Sequence, residues 1–307
     1  MRKMVLNMVL FALVCSAAVV FCGCASKAAT AEEYYLIGMA YFELEKYEEA
    51  EKWLNRASQA KRTMVASTYN LGRLAYERQR YDEAAKHFES ILKRDPNNIL
   101  ALKAAAYSRI KTGEIEKAEK HYSRLLSLVP ESADDGYNHA LVLFAMGRHA
   151  ESEEVLERYP IAMQENKDVM LLHARNQSAQ NKVEAIDSFA AWLEINSDVK
   201  ARYEYAGVLE HHSFYARALE EYRKALSEIT ATTTDPKKGD VRFAIARVLL
   251  IADGGSSEGI TEMQGAVNDG FNDIAAIERM THQVGASQRD ALREIINNMR
   301  RSSEANP

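Results

Sequence analysis

Apolar residues between positions 31 and 230 recur at spacings of three and four, the spacing of one face of a helix. In Val65–Asn98, two such stretches flank a short segment, Glu77–Tyr81. No run of the chain alternates apolar and polar residues as a half-buried strand does. The pattern therefore predicts a chain of helices, arranged in pairs that are joined by short turns.

Three columns of residues recur at a fixed step of 34 positions. An ordinary helical bundle predicts helices but no fixed period, so this step indicates tandem helix pairs. Small residues are expected where the two helices of a pair cross closely, and a bulky residue four positions later lies one turn along the same face. The columns are Gly38, Gly72, Ala106 and Ala140; Ala50, Ala84, Ala118 and Ser152; and Leu54, Phe88, Tyr122 and Leu156.

The second unit carries the most complete pattern. It has Leu71 and Gly72 together in its first helix, followed by Ala84, Phe88 and Pro96 in its second half. This pattern resembles the tetratricopeptide repeat (TPR), a 34-residue helix–turn–helix unit. The resemblance implies an all-α fold: an α-solenoid, a right-handed superhelix of about six to seven helix pairs plus C-terminal capping helices. One pair cannot bury its apolar face alone, so neighbouring pairs must stack.

Residues 31–230 are predicted to form this array, in six units of which the fifth matches least well. In that unit His173 takes the usual glycine position, whereas Gly207 counts among the matches of the sixth. Arg109 departs from the pattern in the third unit, and Pro160 is predicted to end the second helix of the fourth unit early.

Residues 231–307 are predicted to form a loop, a degenerate helix pair and capping helices. The loop is expected at Ala231–Gly239, and the pair at Val241–Ala252 and Glu258–Val267. Gly259 and Met263 stand in this pair for the small and bulky columns. The last helices carry many polar side chains, which suits the end unit of an array.

The first 24 residues combine Arg2 and Lys3 with an almost entirely apolar run. The sequence Phe21-Cys22-Gly23-Cys24-Ala25-Ser26 resembles a bacterial lipoprotein signal, in which a small residue precedes the modified cysteine. The resemblance implies that residues 1–24 are a signal peptide with lipidation at Cys24, and that residues 25–30 are a short linker. Six extended residues reach ~20 Å, so the array would lie close to the membrane.

Two alternatives for the N-terminus stay open. Met4–Cys24 is long enough for an uncleaved membrane anchor. A plain secretory signal with cleavage near Ala29 is the other possibility.

Composition excludes some classes of function. The formal net charge is −5, with 39 basic and 44 acidic residues. A nucleic-acid partner is not expected, since such proteins usually carry a basic face. The three cysteines lie at positions 15, 22 and 24, so no intramolecular disulfide is possible after them.

No residue set predicts an enzyme, a cofactor or a metal site. The sequence contains no nucleotide-binding loop, nucleophile elbow or zinc-protease helix. The pair His211–His212 could suggest a metal site, but adjacent helical residues point about 100° apart. A solvated turn is the preferred interpretation of this pair.

A binding surface is predicted by the family resemblance. In that family, the first helix of each unit lines a concave groove through fixed positions. Aromatic residues, Met and Arg are enriched in binding hot spots, so the groove is predicted to bind a protein segment. Some of these rings could instead pack between repeats. The predicted groove residues are Tyr35, Met39, Phe42, Tyr69, Arg73, Tyr76, Lys103, Tyr107, Ile110, Tyr137, Leu141 and Phe144.

The preferred hypothesis is a non-enzymatic, lipid-anchored scaffold that binds a protein or peptide partner in envelope assembly or secretion. Its expected location is the bacterial cell envelope, at the outer membrane facing the periplasm. One alternative is a component of a small-molecule uptake system, and another is a surface adhesin. The sequence leaves the partner's identity and the oligomeric state open.

Overall fold

The computed structural model describes residues 30–252 and 256–305. These residues form 17 helices joined by turns, and they contain no strand. The chain is all-α, as predicted. Its helices are α1 (Ala31–Glu43), α2 (Tyr47–Ala60), α3 (Val65–Glu77), α4 (Tyr81–Leu92), α5 (Ile99–Lys111), α6 (Ile115–Leu128), α7 (Ala133–Ala145), α8 (His149–Glu157), α9 (Pro160–Glu165), α10 (Lys167–Ala179), α11 (Ala185–Ile195), α12 (Val199–His211), α13 (Tyr215–Glu228), α14 (Lys238–Ala252), α15 (Ser257–Asn268), α16 (Ile274–Thr281) and α17 (Ala286–Ala305).

Side-chain caps start several of these helices. At α1, the Thr30 hydroxyl accepts a hydrogen bond from the Glu33 amide, while the Glu33 carboxylate accepts one from the Thr30 amide. Asn98 caps α5 and Asp198 caps α12. In each case a side-chain oxygen accepts a hydrogen bond from a backbone amide of the helix. These caps satisfy amide groups that lack a partner inside the helix, and they mark the start of the first, third and sixth repeats.

The chain divides into two compact units, of which the first is Met1–Leu128. Within it, each helix from α1 to α6 packs against the next helix in sequence. The space left by Gly72 is filled by the ring of Phe88, since a Cβ at Gly72 would lie 2.7 Å from that ring. Gly38 is filled in the same way by Leu54. Stacked helix pairs therefore form the core of this unit.

The second unit is Val129–Pro307 and contains α7 to α17. Its larger hydrophobic cluster joins α10 to α14 and includes Phe189 and Tyr222. A second cluster joins α14 to α17 around Met263, Ile277 and Leu292. Each repeat pair thus shares apolar contacts with the next, which is how such arrays become stable.

All three predicted columns are buried. Every small residue of the second column, from Ala50 to Ser152, is fully buried, and each bulky partner from Leu54 to Leu156 is at most 2% exposed. The first column from Gly38 to Ala140 is also buried. The 34-residue step therefore records the contacts between the helices of each pair.

Two assignments in the weaker repeats are wrong by one residue. Helix α10 begins at Lys167, so Ala174 rather than His173 lies at the buried crossing point of repeat five. In repeat six the crossing residue is Ala206, and Gly207 lies beside it, partly exposed. Both crossing positions hold alanine: a glycine beside Ala206 was chosen in repeat six, and in repeat five the helix begins one residue later than was assumed.

Pro160 does not end the second helix of repeat four. That helix, α8, already ends at Glu157, and Pro160 is the first residue of the short helix α9. Proline suits this position because it lacks the amide hydrogen that would be unpaired there. The result is an extra turn between α8 and α10, held in part by a hydrogen bond from the Tyr159 hydroxyl to the Pro130 carbonyl.

Arg109, which departs from the repeat pattern, makes a buried ionic contact. Its side chain is 4% exposed and donates to both carboxylate oxygens of Glu89 at 2.6 and 2.7 Å. Asp82 and Glu114 accept further hydrogen bonds from the same guanidinium. Arg109 therefore ties α5 to α4 at a position where the repeat pattern expects no charge.

The C-terminal quarter follows the prediction in outline. Helices α14 and α15 form the degenerate pair, and both Gly259 and Met263 are buried in it. A Cβ at Gly259 would lie 2.7 Å from the side chain of Leu250, so this glycine takes the small position. Residues 253–255, which connect the two helices in sequence, lie outside the described residues.

Two glycines of the second unit predict opposite effects of alanine. A Cβ at Gly239 would lie 2.7 Å from the backbone nitrogen of Phe271 and 3.0 Å from two backbone oxygens. The same atom at Gly207 would lie 3.6 Å from the Tyr222 hydroxyl, an ordinary contact. We expect Gly239→Ala to lower the free energy of unfolding by about 2 kcal/mol, because the neighbouring backbone atoms cannot move aside for the added methyl group. We expect Gly207→Ala to raise it by up to about 1 kcal/mol. Urea denaturation measures both, and equal shifts would contradict this account.

Candidate protein-binding groove

The twelve predicted groove residues are all at least partly accessible. Nine lie on α1, α3 and α5 in the first unit, and Tyr137, Leu141 and Phe144 lie on α7 in the second. Neighbours on the same helices, such as Leu74 and Ala105, are fully buried. The predicted positions therefore differ in burial from the core-facing positions of the same helices.

Three of these residues meet at one pocket in the first unit. Arg73 and Tyr76 of α3 and Tyr107 of α5 line an open pocket of about 320 Å³. Phe88 and Ala104 contribute apolar surface to it, and Glu77 adds a carboxylate. Apolar walls with a few charged groups are typical of a site that holds a side chain of a partner.

A buried asparagine positions the polar part of this surface. The Asn70 amide donates to the Tyr35 hydroxyl at 3.2 Å, and its carbonyl oxygen accepts from Arg73 at 3.0 Å. The Arg73 guanidinium also lies 4.9 Å from the Phe42 ring centroid, a cation–π contact. Asn70 thus joins α1 and α3 along the predicted groove. Sequence reasoning missed it, although an amide within an otherwise apolar helix face was a usable signal.

Several of the rings also support the fold. The Tyr69 ring centroid lies 5.3 Å from that of Phe88, and the Tyr107 centroid lies 6.2 Å from that of Tyr122. Burial raises the pKa of Tyr76, so this hydroxyl stays neutral over the physiological range. These rings are anchored on one side and accessible on the other, which holds the surface rigid.

The remaining predicted residues lie on α1, α3, α5 and α7 and do not line this pocket. Met39 and Phe42 pack beside the buried cluster of Leu54 and Leu74. Lys103 and Ile110 are half-buried on α5. In the second unit, Leu141 is 38% exposed, and the Phe144 ring lies 4.9 Å from the ring of His149.

The pair His211–His212 lies at the C-terminal end of α12. The two ring centroids are 5.1 Å apart and the ring planes are perpendicular. This arrangement agrees with the expected divergence of adjacent side chains.

Comparison with protein families assigns the repeats. Residues 35–99 match one family model described as "Tetratricopeptide repeat", and residues 75–137 match a second with the same description. These ranges contain the first three members of each residue column at the helix crossings, from Gly38 to Tyr122. The chain contains tetratricopeptide repeats. This fold is typically a non-catalytic scaffold for protein interaction, and TPR domains generally bind protein or peptide partners.

Solved TPR structures show the same fold. A tetratricopeptide repeat protein from Parabacteroides merdae ATCC 43184 matches with a TM-score of 0.55 at 20% identity, over 81% of this chain and 96% of that chain. YrrB, described as a TPR protein with an unusual peptide-binding site, matches with a TM-score of 0.52 at 16% identity, over 64% of this chain and 98% of that chain.

A curated relative comes from Treponema pallidum (strain Nichols), where it is named "Uncharacterized lipoprotein". It is 24% identical over 144 residues, which are 47% of this chain and 74% of that protein. The predicted lipidation site, Cys24, lies outside the described residues. Of the helices in residues 30–252 and 256–305, none has the length and apolar content that crossing a bilayer requires.

Proposed function

We propose that this TPR protein is a lipid-anchored adaptor of the bacterial envelope. Its first unit would bind an extended segment of a partner protein along α1, α3 and α5. The observation that carries the proposal is the pocket between Arg73, Tyr76 and Tyr107, where three predicted groove residues converge on apolar surface.

The pocket chemistry indicates what it would hold. Phe88, Tyr76 and Tyr107 offer aromatic surface, and an apolar side chain of the partner would be buried against them. Arg73 and Glu77 at the same pocket can pair with the polar backbone or with charges that flank that side chain. Because Tyr76 already packs on Tyr81 and Tyr107 on Tyr122, little side-chain entropy is lost on binding.

The lipid anchor is supported by two observations. The Cys24 motif has the small residue, Gly23, that a lipoprotein signal requires before its cysteine. The Treponema relative is named a lipoprotein. A Cys24 anchor would place the groove near the membrane, because Ala25–Thr30 is the whole linker before α1. We therefore propose a role in envelope assembly or secretion at the periplasmic face of the outer membrane.

The groove hypothesis predicts the loss of partner recovery in one variant. We expect Tyr69→Ala/Arg73→Ala/Tyr107→Ala to recover at least tenfold less partner than the wild type in a crosslinking pull-down from detergent-extracted cells. The reason is that the substitutions remove the cation of the pocket, Arg73, and one of its aromatic walls, Tyr107. They also remove the Tyr69 ring, which packs against Phe88.

The matched control removes an aromatic and an arginine elsewhere. Phe214→Ala/Arg217→Ala lies in the second unit, where Phe214 is 44% exposed. It should recover the partner as the wild type does. Circular dichroism checks that the first variant folds, and Arg73→Gln alone tests the cation without removing a ring. Equal recovery from wild type and a folded groove variant would exclude this surface.

A further inference from the structure

Three side chains with metal-binding groups converge between α8 and α10. Glu153 and Glu157 lie one turn apart on α8, and His173 faces them from α10. Their carboxylate oxygens and the imidazole nitrogen all lie within 4.8 Å of one another. Glu153 is buried, His173 is half-buried and Glu157 is exposed, so the cluster opens to solvent on one side.

The contact between Glu153 and His173 is too long for a hydrogen bond. Glu153 Oε1 and His173 Nε2 are 3.6 Å apart, whereas such bonds measure about 2.7–3.2 Å. Two ligands of one tetrahedral Zn²⁺ ion, each about 2.1 Å from it, lie roughly 3.4 Å apart. The observed separation therefore fits two ligands of a shared ion better than a direct pair.

The other oxygen of Glu153 is already fixed by the surrounding protein. Lys182 and Gln180 donate to Glu153 Oε2 at 2.6 and 2.7 Å, and these bonds leave Oε1 directed at His173. Supporting bonds of this kind orient the ligands in known metal sites.

His173 is half-buried, and its Nε2 atom faces Glu153 Oε1. One weak contact competes: the Gln177 amide nitrogen lies 3.4 Å from His173 Nε2. A bound ion would replace that contact.

The C-terminal end of α8 adds a favourable electrostatic field for a cation. Glu157 is the last residue of α8, and the C-terminus of a helix carries a partial negative charge that attracts cations. The two carboxylates also outnumber the Lys182 ammonium at the cluster. Imidazole favours transition metals over Mg²⁺ and Ca²⁺, which prefer oxygen ligands.

We propose that Glu153, Glu157 and His173 form a binding site for a divalent transition-metal ion, with Zn²⁺ as its best match. The ion would link α8 directly to α10 across the short helix α9 that separates them in sequence. Its role is structural, because it would fix the junction at which repeat four gives way to repeat five.

Calorimetric titration of the full chain with Zn²⁺ tests this site. We expect the wild type to bind one Zn²⁺ ion at least ten times more tightly than Glu157→Gln or His173→Gln does. Glu157 is exposed, so its substitution leaves the fold intact, and both replacements keep similar size and polarity. Zn²⁺ should also raise the thermal midpoint of the wild type but not that of Glu157→Gln.

The double variant His211→Ala/His212→Ala is the matched control. It removes two imidazoles outside the cluster and should bind Zn²⁺ at the site as the wild type does. Any Zn²⁺ that the cysteine thiols bind is the same in every variant. Equal Zn²⁺ affinity in the wild type, Glu157→Gln and His173→Gln would overturn the proposal. A loss in the control as large as the loss in the site variants would overturn it too.

Discussion

Replacing Phe88 by alanine is expected to lower the free energy of unfolding of the first unit by about 4 kcal/mol. Phe88 is 2% exposed and fills the space beside Gly72. It also packs with Ala75, Ala84 and Ala105, which belong to three successive helices. Truncation would leave a cavity that these small residues cannot fill, and both the transfer and cavity terms would be lost.

Repeat arrays need not unfold in one step, so the measurement should be local. Hydrogen exchange of the amides in α3, α4 and α5 reports the opening of this region. The matched control is Phe214→Ala, because Phe214 is 44% exposed and the same atoms are removed. The control should change stability by less than about 0.5 kcal/mol. If both variants lose protection equally, the crossing of α3 and α4 does not depend on Phe88.

Replacing Arg109 by methionine is expected to lower the free energy of unfolding by about 3 kcal/mol at pH 7. The change keeps an apolar stem but leaves three carboxylates, those of Glu89, Asp82 and Glu114, without their shared cation. Burial would raise the pKa of Glu89, but the Arg109 guanidinium and His121 lower it below its ordinary value of 4.5. Glu89 therefore contributes stability above about pH 4.5.

This contribution disappears as pH falls through the lowered folded-state pKa of Glu89. The difference in free energy of unfolding between the wild type and Arg109→Met should therefore become smaller below pH 4.5, since protonation of Glu89 removes the charge that Arg109 binds. Urea denaturation from pH 7 to pH 3 measures it. The control is Arg124→Met, which removes an exposed guanidinium that binds Asn97 in the same unit. A cost of Arg109→Met that stays constant with pH would contradict this ionic contact.

Much of the fold could be predicted from the sequence because the residues at the helix crossings repeat. Gly72 and Phe88 identify one crossing, and both are buried against each other in the structure. The pattern is less informative where the start of a helix is uncertain. Asn166 caps α10 instead of opening it, so Ala174 was missed and His173 was assigned in its place.

Features outside the repeat pattern were harder to predict. Arg109 matches no repeat column, and its partners Glu89 and Asp82 lie on another helix, so only the structure shows why a charge is tolerated there. Pro160 could end one helix or begin the next, and in the structure it begins α9. The exact meeting of Glu153 with His173 depends on how α8 and α10 pack, which spacing along the chain does not give.

Part of the groove surface could be predicted from the sequence. Carrying the family positions over selected Arg73, Tyr76 and Tyr107, which meet at one pocket. It did not select Asn70, which the structure shows between Tyr35 and Arg73. Whether this surface binds a partner stays a prediction.

Site-specific photocrosslinking in cells tests that claim most directly. A photoreactive phenylalanine derivative placed at Tyr107 would lie at the pocket, and the same residue placed at Phe214 would lie on exposed surface of the other unit. The account predicts a covalent adduct with a specific envelope protein from position 107 and none from position 214. The same adducts from both positions, or no adduct from position 107, would contradict it.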